Sequence, residues 1–374
     1  MPKPALSDIG WNATFEKAFK PYAAKGYKPG LIVQDNKISY LAYTPSTGYL
    51  DVILSGKVWH DAETNADLPA VGDWVALDLA EEEEDEESVI RARLPRRTCF
   101  SRKVTGKGTE QQVIGANVDT VMLITAPDVD FNLRRIERYM MIVSRSGAVP
   151  VIIINKSETL TEPERNELEA ELAEVTKSAA KVHFISALEG LGLETLSPYF
   201  GPGKAVACVG SSGVGKSTLI NALTGGDEWT AEVNELTGKG RHTTTWRTVV
   251  FIKNGGLLID NPGIREIQMW TDEQSLRDHF RDVDALANAC QYHDCKHGSD
   301  AGCRIREALE AGELDAERFQ NYLCLEDEIA ELKRRQKKRQ MHLEKVNKRE
   351  KRRIHRNFED RREFEDEQRY GRND

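Results

Sequence analysis

Between Leu31 and about Val104, apolar and polar positions alternate in short runs: Leu31–Gln34, Lys37–Tyr43, Tyr49–Trp59, Asp73–Leu79 and Ser88–Leu94. Gly48, Asn65, Pro69 and Gly72 punctuate them. A two-residue period puts one face of each run in a core. Several such strands in succession predict a small closed β-barrel over 31–104, of the five-stranded oligonucleotide-binding (OB) type. Residues 1–30, with Pro2, Pro4, Pro21 and Pro29 and no clear period, predict an extended leader. From Val118 the rhythm changes. Apolar runs Val118–Ala126, Val149–Asn155 and Lys181–Ala187 alternate with helix-like stretches Leu133–Ser146 and Glu162–Ser178. The alternation continues through Ala205–Gly210, a helix after Lys216, Arg247–Lys253 and Gly256–Gly263. Six strand candidates with crossover helices predict a doubly wound, parallel α/β domain over 105–265. Beyond Pro262 there is no proline, and Gly312 to Gly371 is free of glycine. Helix formers dominate there, predicting a helical domain over 266–325 and a helical or disordered tail over 326–374.

Composition narrows the class. Of 374 residues 39% are hydrophobic and 28 are glycine, a globular balance. No apolar run approaches the ~20 residues of a membrane helix, and the first residues lack a signal-peptide pattern. The expectation is a cytoplasmic protein with no membrane partner. The net charge of −9 conceals segregation, because residues 81–87 are seven consecutive acids. Residues 331–356 hold thirteen Lys/Arg against three acids, which suits a polyanionic partner despite the overall sign. The acidic run reads as a solvated loop between two strands.

Residues Gly210-Ser211-Ser212-Gly213-Val214-Gly215-Lys216-Ser217-Thr218 contain G-x-x-x-x-G-K-S between a strand and a helix, the context a phosphate-binding loop requires. Its glycines let backbone N–H groups turn toward phosphate oxygens at a helix N-terminus. Lys216 would reach the β- and γ-phosphates and Ser217 would ligate Mg²⁺. Asn155-Lys156-Ser157-Glu158 follows the strand ending at Ile154 and matches the guanine-reading N-K-x-D pattern, with Glu in place of Asp. The Asn would contact the ring, the Lys stem its face, and the carboxylate two base donors. Ser186-Ala187 would offer a backbone N–H to guanine O6. Asp260-Asn261-Pro262-Gly263 resembles D-x-x-G, where Asp260 holds Mg²⁺ through water and the Gly263 N–H senses the γ-phosphate. One of Thr243, Thr244 and Thr245, in the loop after Gly238, would complete the Mg²⁺ shell. Which one does so stays open.

The base-reading elements precede the phosphate loop, the reverse of the ordinary order, so the domain is circularly permuted. Ile264 stands where many GTPases place a water-orienting glutamine. His242 is the in-chain candidate for that role, alongside Lys216 and Asp260. Farther on, Cys290-x4-Cys295-x-His297-x5-Cys303 offers a closed set of four ligands for one structural Zn²⁺. Cys99, Cys208 and Cys324 read as packed or free thiols.

In motif order and zinc spacing, residues 31–310 resemble the ribosome small subunit-dependent GTPase A family. The resemblance implies a cytoplasmic, monomeric GTPase using GTP/GDP, Mg²⁺ and Zn²⁺, stimulated by the 30S subunit. It would bind 16S rRNA during late subunit maturation, with His242 catalytic. Glu158 and the Asn261 of DNPG depart from the family pattern. Two other readings are an RNA-binding module with a passive nucleotide site and an ATP-dependent enzyme.

Overall fold

In the computed structural model, which describes residues 4–36, 39–80, 87–103, 111–128, 131–176, 179–211, 213–224, 248–252, 255–260, 276–277, 279–292, 295–298, 300–327, 329–331, 333–334 and 337, five of the alternating runs close on one another. They are β1 (Lys28–Asp35), β2 (Tyr40–Thr44), β3 (Gly48–Leu54), β4 (Trp74–Asp78) and β5 (Ser88–Arg93). The order is β1-β2-β3-β5-β4, and β4 returns to β1. Only β3 and β5 run parallel, which completes an OB-type barrel. Ile32, Ala42, Val52, Val75, Leu77 and Ile90 form one of its cores.

Residues 4–27 differ from the extended leader expected over 1–30. Leu6–Ile9 form a 3-10 turn and α1 spans Ala13–Ala23. Asn12 caps α1, its side-chain oxygen accepting from Thr14 N at 2.9 Å and Phe15 N at 3.3 Å. Phe15 and Phe19, one turn apart, bury against the barrel, and Trp11 meets Trp74 edge-on at 4.8 Å. Pro21 lies toward the C-terminal end of α1, where it forgoes one hydrogen bond, and the ring cluster more than offsets that loss.

A short helix, α2 (Gly56–Asp61), joins β3 to the segment before β4. Past the barrel, β6 (Cys99–Lys103) and β7 (Gln111–Ala116) form a separate two-stranded ribbon, so the last expected barrel residues leave it. Gly72 makes the junction possible: its φ is +89°, and a Cβ there would strike the Ala116 carbonyl.

The nucleotide-type sheet contains β8 (Thr120–Thr125), β9 (Val149–Ile154), β10 (Lys181–Phe184), β11 (Ala205–Gly210), β12 (Thr248–Phe251) and β13 (Leu257–Asp260), in the order β10-β9-β8-β11-β13-β12. Five strands are parallel as expected, but β12 is antiparallel to β13. The reason is the short connection, residues 252–256, because a parallel crossover needs about a dozen residues or more. The helices α3 (Leu133–Ser146), α4 (Glu162–Thr176) and α5 (Lys216–Thr224) pack along this sheet. β12 also pairs with β1 through Gln34 and Thr248, and Phe251 meets the Tyr43 ring at 4.8 Å. Barrel and nucleotide-type domain therefore share one sheet.

The C-terminal part contains α6 (Arg281–Asn288), α7 (Arg304–Glu310) and a helix at 316–327 around Phe280, Val283, Ile305, Leu314 and Leu325. It docks on α3 through a polar cluster. Arg318 donates to Glu137 at 2.7 Å and to both oxygens of Asp282 at 2.8 and 2.9 Å, and Asn321 donates to the other Glu137 oxygen. Glu137 is buried, and the Arg318 guanidinium lies 4.6 Å from the Phe280 ring centre. Among the described residues, no helix is long and apolar enough to cross a membrane.

Candidate nucleotide site and metal cluster

Three loops leave the C-terminal ends of parallel strands of one sheet, the edge where open α/β sheets bind ligands. Asn155–Glu158 follows β9, Ser186–Ala187 follows β10 and the phosphate loop follows β11. One side chain braces all three. Asn155, buried at the end of β9, donates its amide to the Val214 carbonyl at 2.8 Å and accepts from the Ala187 N–H at 2.9 Å. The brace explains Gly215, whose φ is +90° and whose missing Cβ leaves room for the Asn155 amide nitrogen. Sequence reasoning gave Asn155 to the base; the structure commits its amide groups to holding base loop and phosphate loop together.

Lys216 begins α5 and folds back over the loop, donating to the Gly210 and Ser211 carbonyls at 2.7 Å each. Burial holds its ammonium below the usual lysine range, although the Asp260 carboxylate pulls the other way. Asp260 ends β13 in register with Cys208 of β11, beside the strand that feeds the phosphate loop. Cys208 is a packed thiol, pushed up to about 12 by burial and by Asp260. Cys99 is half-buried and Cys324 exposed. Val214 is buried, so only its backbone faces the loop, whereas Gly213, Ser217 and Thr218 are exposed.

Lys156 takes a left-handed conformation, φ +61°, and Ser157–Thr159 form a 3-10 turn that leaves Glu158 exposed. The Ser157 N–H donates to the Ile185 carbonyl at 3.0 Å, tying this turn to the next loop. Ser186 is buried, with its N–H on the Leu191 carbonyl at 2.9 Å. The N–H groups of Ser186 and Ala187 are thus both engaged within the protein. Two neighbours escaped sequence reasoning. Asp128, in the loop after β8, lies 3.5 Å from the Lys156 ammonium, and Leu188 is 81% exposed beside Ala187. Neither has a spacing signal that ties it to the motif. Ser212, His242, Thr243, Thr244, Thr245, Asn261, Pro262, Gly263 and Ile264 lie outside the described residues.

The second cluster is C-terminal. The ligand atoms of Cys290, Cys295, His297 and Cys303 all lie within 4.8 Å of one another. His297 Nδ1 is 3.6 Å from Cys290 Sγ and 3.8 Å from Cys303 Sγ. Zn–S bonds of ~2.3 Å in a tetrahedron require edges of ~3.8 Å, so the set fits one zinc ion. Local structure explains the convergence. Cys303 caps α7 and accepts from the Arg306 N–H, while a left-handed His297, φ +59°, turns the chain back past Cys295. Burial alone would raise the Cys290 thiol, but the backbone N–H groups of Ile305 and Arg304 and the Cys295 and Cys303 thiols hold it below the usual range. At Cys295 the His297 N–H pulls the other way, yet burial and the neighbouring thiols push the thiol up to about 11.

Comparison with known proteins bears on this arrangement. The family model described as RsgA GTPase matches residues 93–270, and one described as 50S ribosome-binding GTPase matches residues 205–348. The small ribosomal subunit biogenesis GTPase RsgA of Opitutus terrae is 41% identical over 338 residues, covering 88% of this chain and 91% of its own. Its namesake from Methanosarcina acetivorans is 41% identical over 323 residues, covering 86% and 84%. Among solved structures, YjeQ from Thermotoga maritima is similar with a TM-score of 0.59 at 25% identity, covering 81% of this chain and 99% of that one. YloQ, a circularly permuted GTPase, shares the fold with a TM-score of 0.56 at 22% identity, covering 82% and 96%. Relatives this similar along most of both chains leave one assignment: the chain belongs to the RsgA GTPase family.

Proposed function

We propose that this protein binds GTP with Mg²⁺, hydrolyses it, and couples the hydrolysis to biogenesis of the small ribosomal subunit. The observation that carries the nucleotide part is the Asn155 brace, which fixes base-reading and phosphate-reading loops in one frame. The ribosomal part rests on what the relatives are named for. In this reading the backbone N–H groups of Gly213 and Gly215 face the phosphates, and Lys216 exchanges its two carbonyl partners for phosphate oxygens. Ser217 and Asp260 would hold Mg²⁺, which would supply positive charge to the phosphates. Glu158 accepts from the guanine edge and the Lys156 stem covers its face. His242 orients the attacking water, and Gly263 reports the γ-phosphate to the C-terminal part. Cys290, Cys295, His297 and Cys303 hold one structural Zn²⁺, and the protein acts as a cytoplasmic monomer on 16S rRNA.

Phosphate release measured with and without purified small subunits tests the reading. We expect slow turnover alone and at least tenfold stimulation by subunits. No release in either condition would leave a passive nucleotide site. His242→Ala should remove most of the stimulation while GTP affinity stays the same, as for a contact made mainly in the transition state.

A further inference from the structure

Strands β8 and β9 lie side by side and end in register, with Thr125 opposite Ile154. The Asn155 N–H donates to the Thr125 carbonyl at 2.9 Å, so the two loops that follow set out from one point. Asp128 belongs to the first loop and Lys156 to the second. The backbone holds Lys156 in a fixed pose. Its φ is +61°, and its carbonyl accepts from the Thr159 N–H at 3.1 Å and from the Thr159 hydroxyl at 2.8 Å. Across from it, the Asp128 carbonyl accepts from the Phe131 N–H at 2.8 Å, and Phe131 packs against the core. Between these two anchored turns the Lys156 ammonium and the Asp128 carboxylate stand 3.5 Å apart, their side chains 39% and 41% exposed.

Two carboxylates compete for that ammonium. Glu158 follows Lys156 by two residues in the same turn and is exposed. Among the described residues, no ion pair or side-chain hydrogen bond engages Glu158. An ammonium that closed on it would occupy the oxygens that are to accept from the guanine edge. Glutamate, one methylene longer than aspartate, makes such a closure easier. Asp128 offers the ammonium another carboxylate, from a different strand. It also tethers the far end of the lysine stem, whose freedom is then already spent before a base arrives.

We infer that Asp128 is a positioning residue of the base site: it holds the Lys156 ammonium off Glu158, so that the stem covers the guanine ring and the carboxylate stays open to the base. The inference rests on the proposed guanine-nucleotide binding and adds to it the residue that sets Lys156. Asp128 itself touches no nucleotide and acts through Lys156 alone. A partly exposed ion pair has a modest energy that salt screens. The effect of Asp128 is therefore small, electrostatic and conditional on the charge of Lys156.

The test is a double-mutant cycle on the full-length protein, read by titration with a fluorescent GDP analogue and by competition between GTP and ATP. Asp128→Asn should weaken GDP binding about two- to fivefold at low salt, the range of an exposed ion pair, and lower the GTP-to-ATP preference by a similar factor. Asp128→Glu should restore both. In ~1 M salt, where the screening length is ~3 Å, Asp128→Asn should approach the wild type. Lys156→Met keeps the stem and removes the charge, so adding Asp128→Asn to it should change neither quantity. Wild-type values for Asp128→Asn at low salt would overturn the inference. So would an equal loss from Asp128→Asn with and without Lys156→Met, because Asp128 would then serve only its own turn. A wild-type protein that binds no guanine nucleotide, or binds GTP and ATP alike, would sink the proposed nucleotide reading and this inference together. Selective GDP binding by the wild type with an inert Asp128 would sink this inference alone.

Discussion

Asn155 uses both ends of one amide to hold two loops whose strands, β10 and β11, are separated in the sheet by β9 and β8. Replacing it by alanine leaves the Val214 carbonyl and the Ala187 N–H without their partner in a buried setting. At ~1–3 kcal/mol for each unsatisfied group, Asn155→Ala should lower folding stability by about 2–6 kcal/mol. GDP affinity should fall as well, because the phosphate loop loses its register with the base loop. Urea denaturation and titration with a fluorescent GDP analogue check both. Glu158 is the opposite kind of residue, exposed and outside any core. Glu158→Ala should therefore leave stability unchanged while eroding the preference for GTP over ATP. Two hydrogen bonds to a charged acceptor are worth ~1.5–3 kcal/mol each, so the preference should drop about a hundredfold or more. Glu158→Asp should retain most of it. Competition between GTP and ATP for each variant decides the point, and an unaltered ratio in Glu158→Ala would remove Glu158 from the base site.

Elements built from contiguous signals were legible in the sequence. α3 starts after a capping Asn132 and stops at a left-handed Gly147, and the expected span Leu133–Ser146 is the observed one. The phosphate loop sits between the strand and helix its pattern demands, because glycine spacing and Lys216 encode it locally. α1 was hidden by prolines that read as extended chain, although Asn12 and the Phe15–Phe19 spacing carried a helix signal. The direction of β12 was encoded not in its own residues but in the short link to β13. The convergence of Cys290, Cys295, His297 and Cys303 belongs with the legible elements, and the test of the proposed zinc lies at this scale. Elemental analysis should find one zinc per chain. Removing it with a chelator should unfold the region around 290–303, because so short and polar a segment buries too little surface alone. A lowered melting temperature with basal GTP turnover nearly intact is the expected result, and a protein whose melting is indifferent to chelator would refute a structural metal.

On the scale of the whole molecule, Glu137 and Arg318 stand 181 residues apart yet lock the C-terminal part to α3. No local pattern announces such a pair, and the sequence alone did not suggest it. Glu137 takes hydrogen bonds from Arg318 and Asn321, while Arg318 keeps Asp282 as a second partner. Removing one member of a buried ionic cluster typically costs ~3–5 kcal/mol. Glu137→Ala should thus loosen the docking of residues 276–331 more than it harms the nucleotide sheet. Limited proteolysis should release the C-terminal part at lower protease concentration, with GDP affinity largely retained. If cleavage rates match the wild type, the cluster is not what holds the two parts together.

The pairing of Gln34 with Thr248 has a consequence for how the chain is made. The two residues are 214 positions apart, so at ~5–20 residues per second of synthesis β1 waits roughly 10–40 s for β12. It does not wait unpaired, because β2 and β4 flank it as soon as the barrel has emerged. The barrel can therefore fold first and present a finished edge to a strand synthesised much later. β12 and β13 are the last strands to join the sheet, and β13 delivers Asp260 beside the phosphate loop after the base-reading loops have been made. A chain interrupted before residue 260 has a barrel but no complete nucleotide site. Translation thus sets the order in which the protein acquires these two surfaces: barrel first, nucleotide site later.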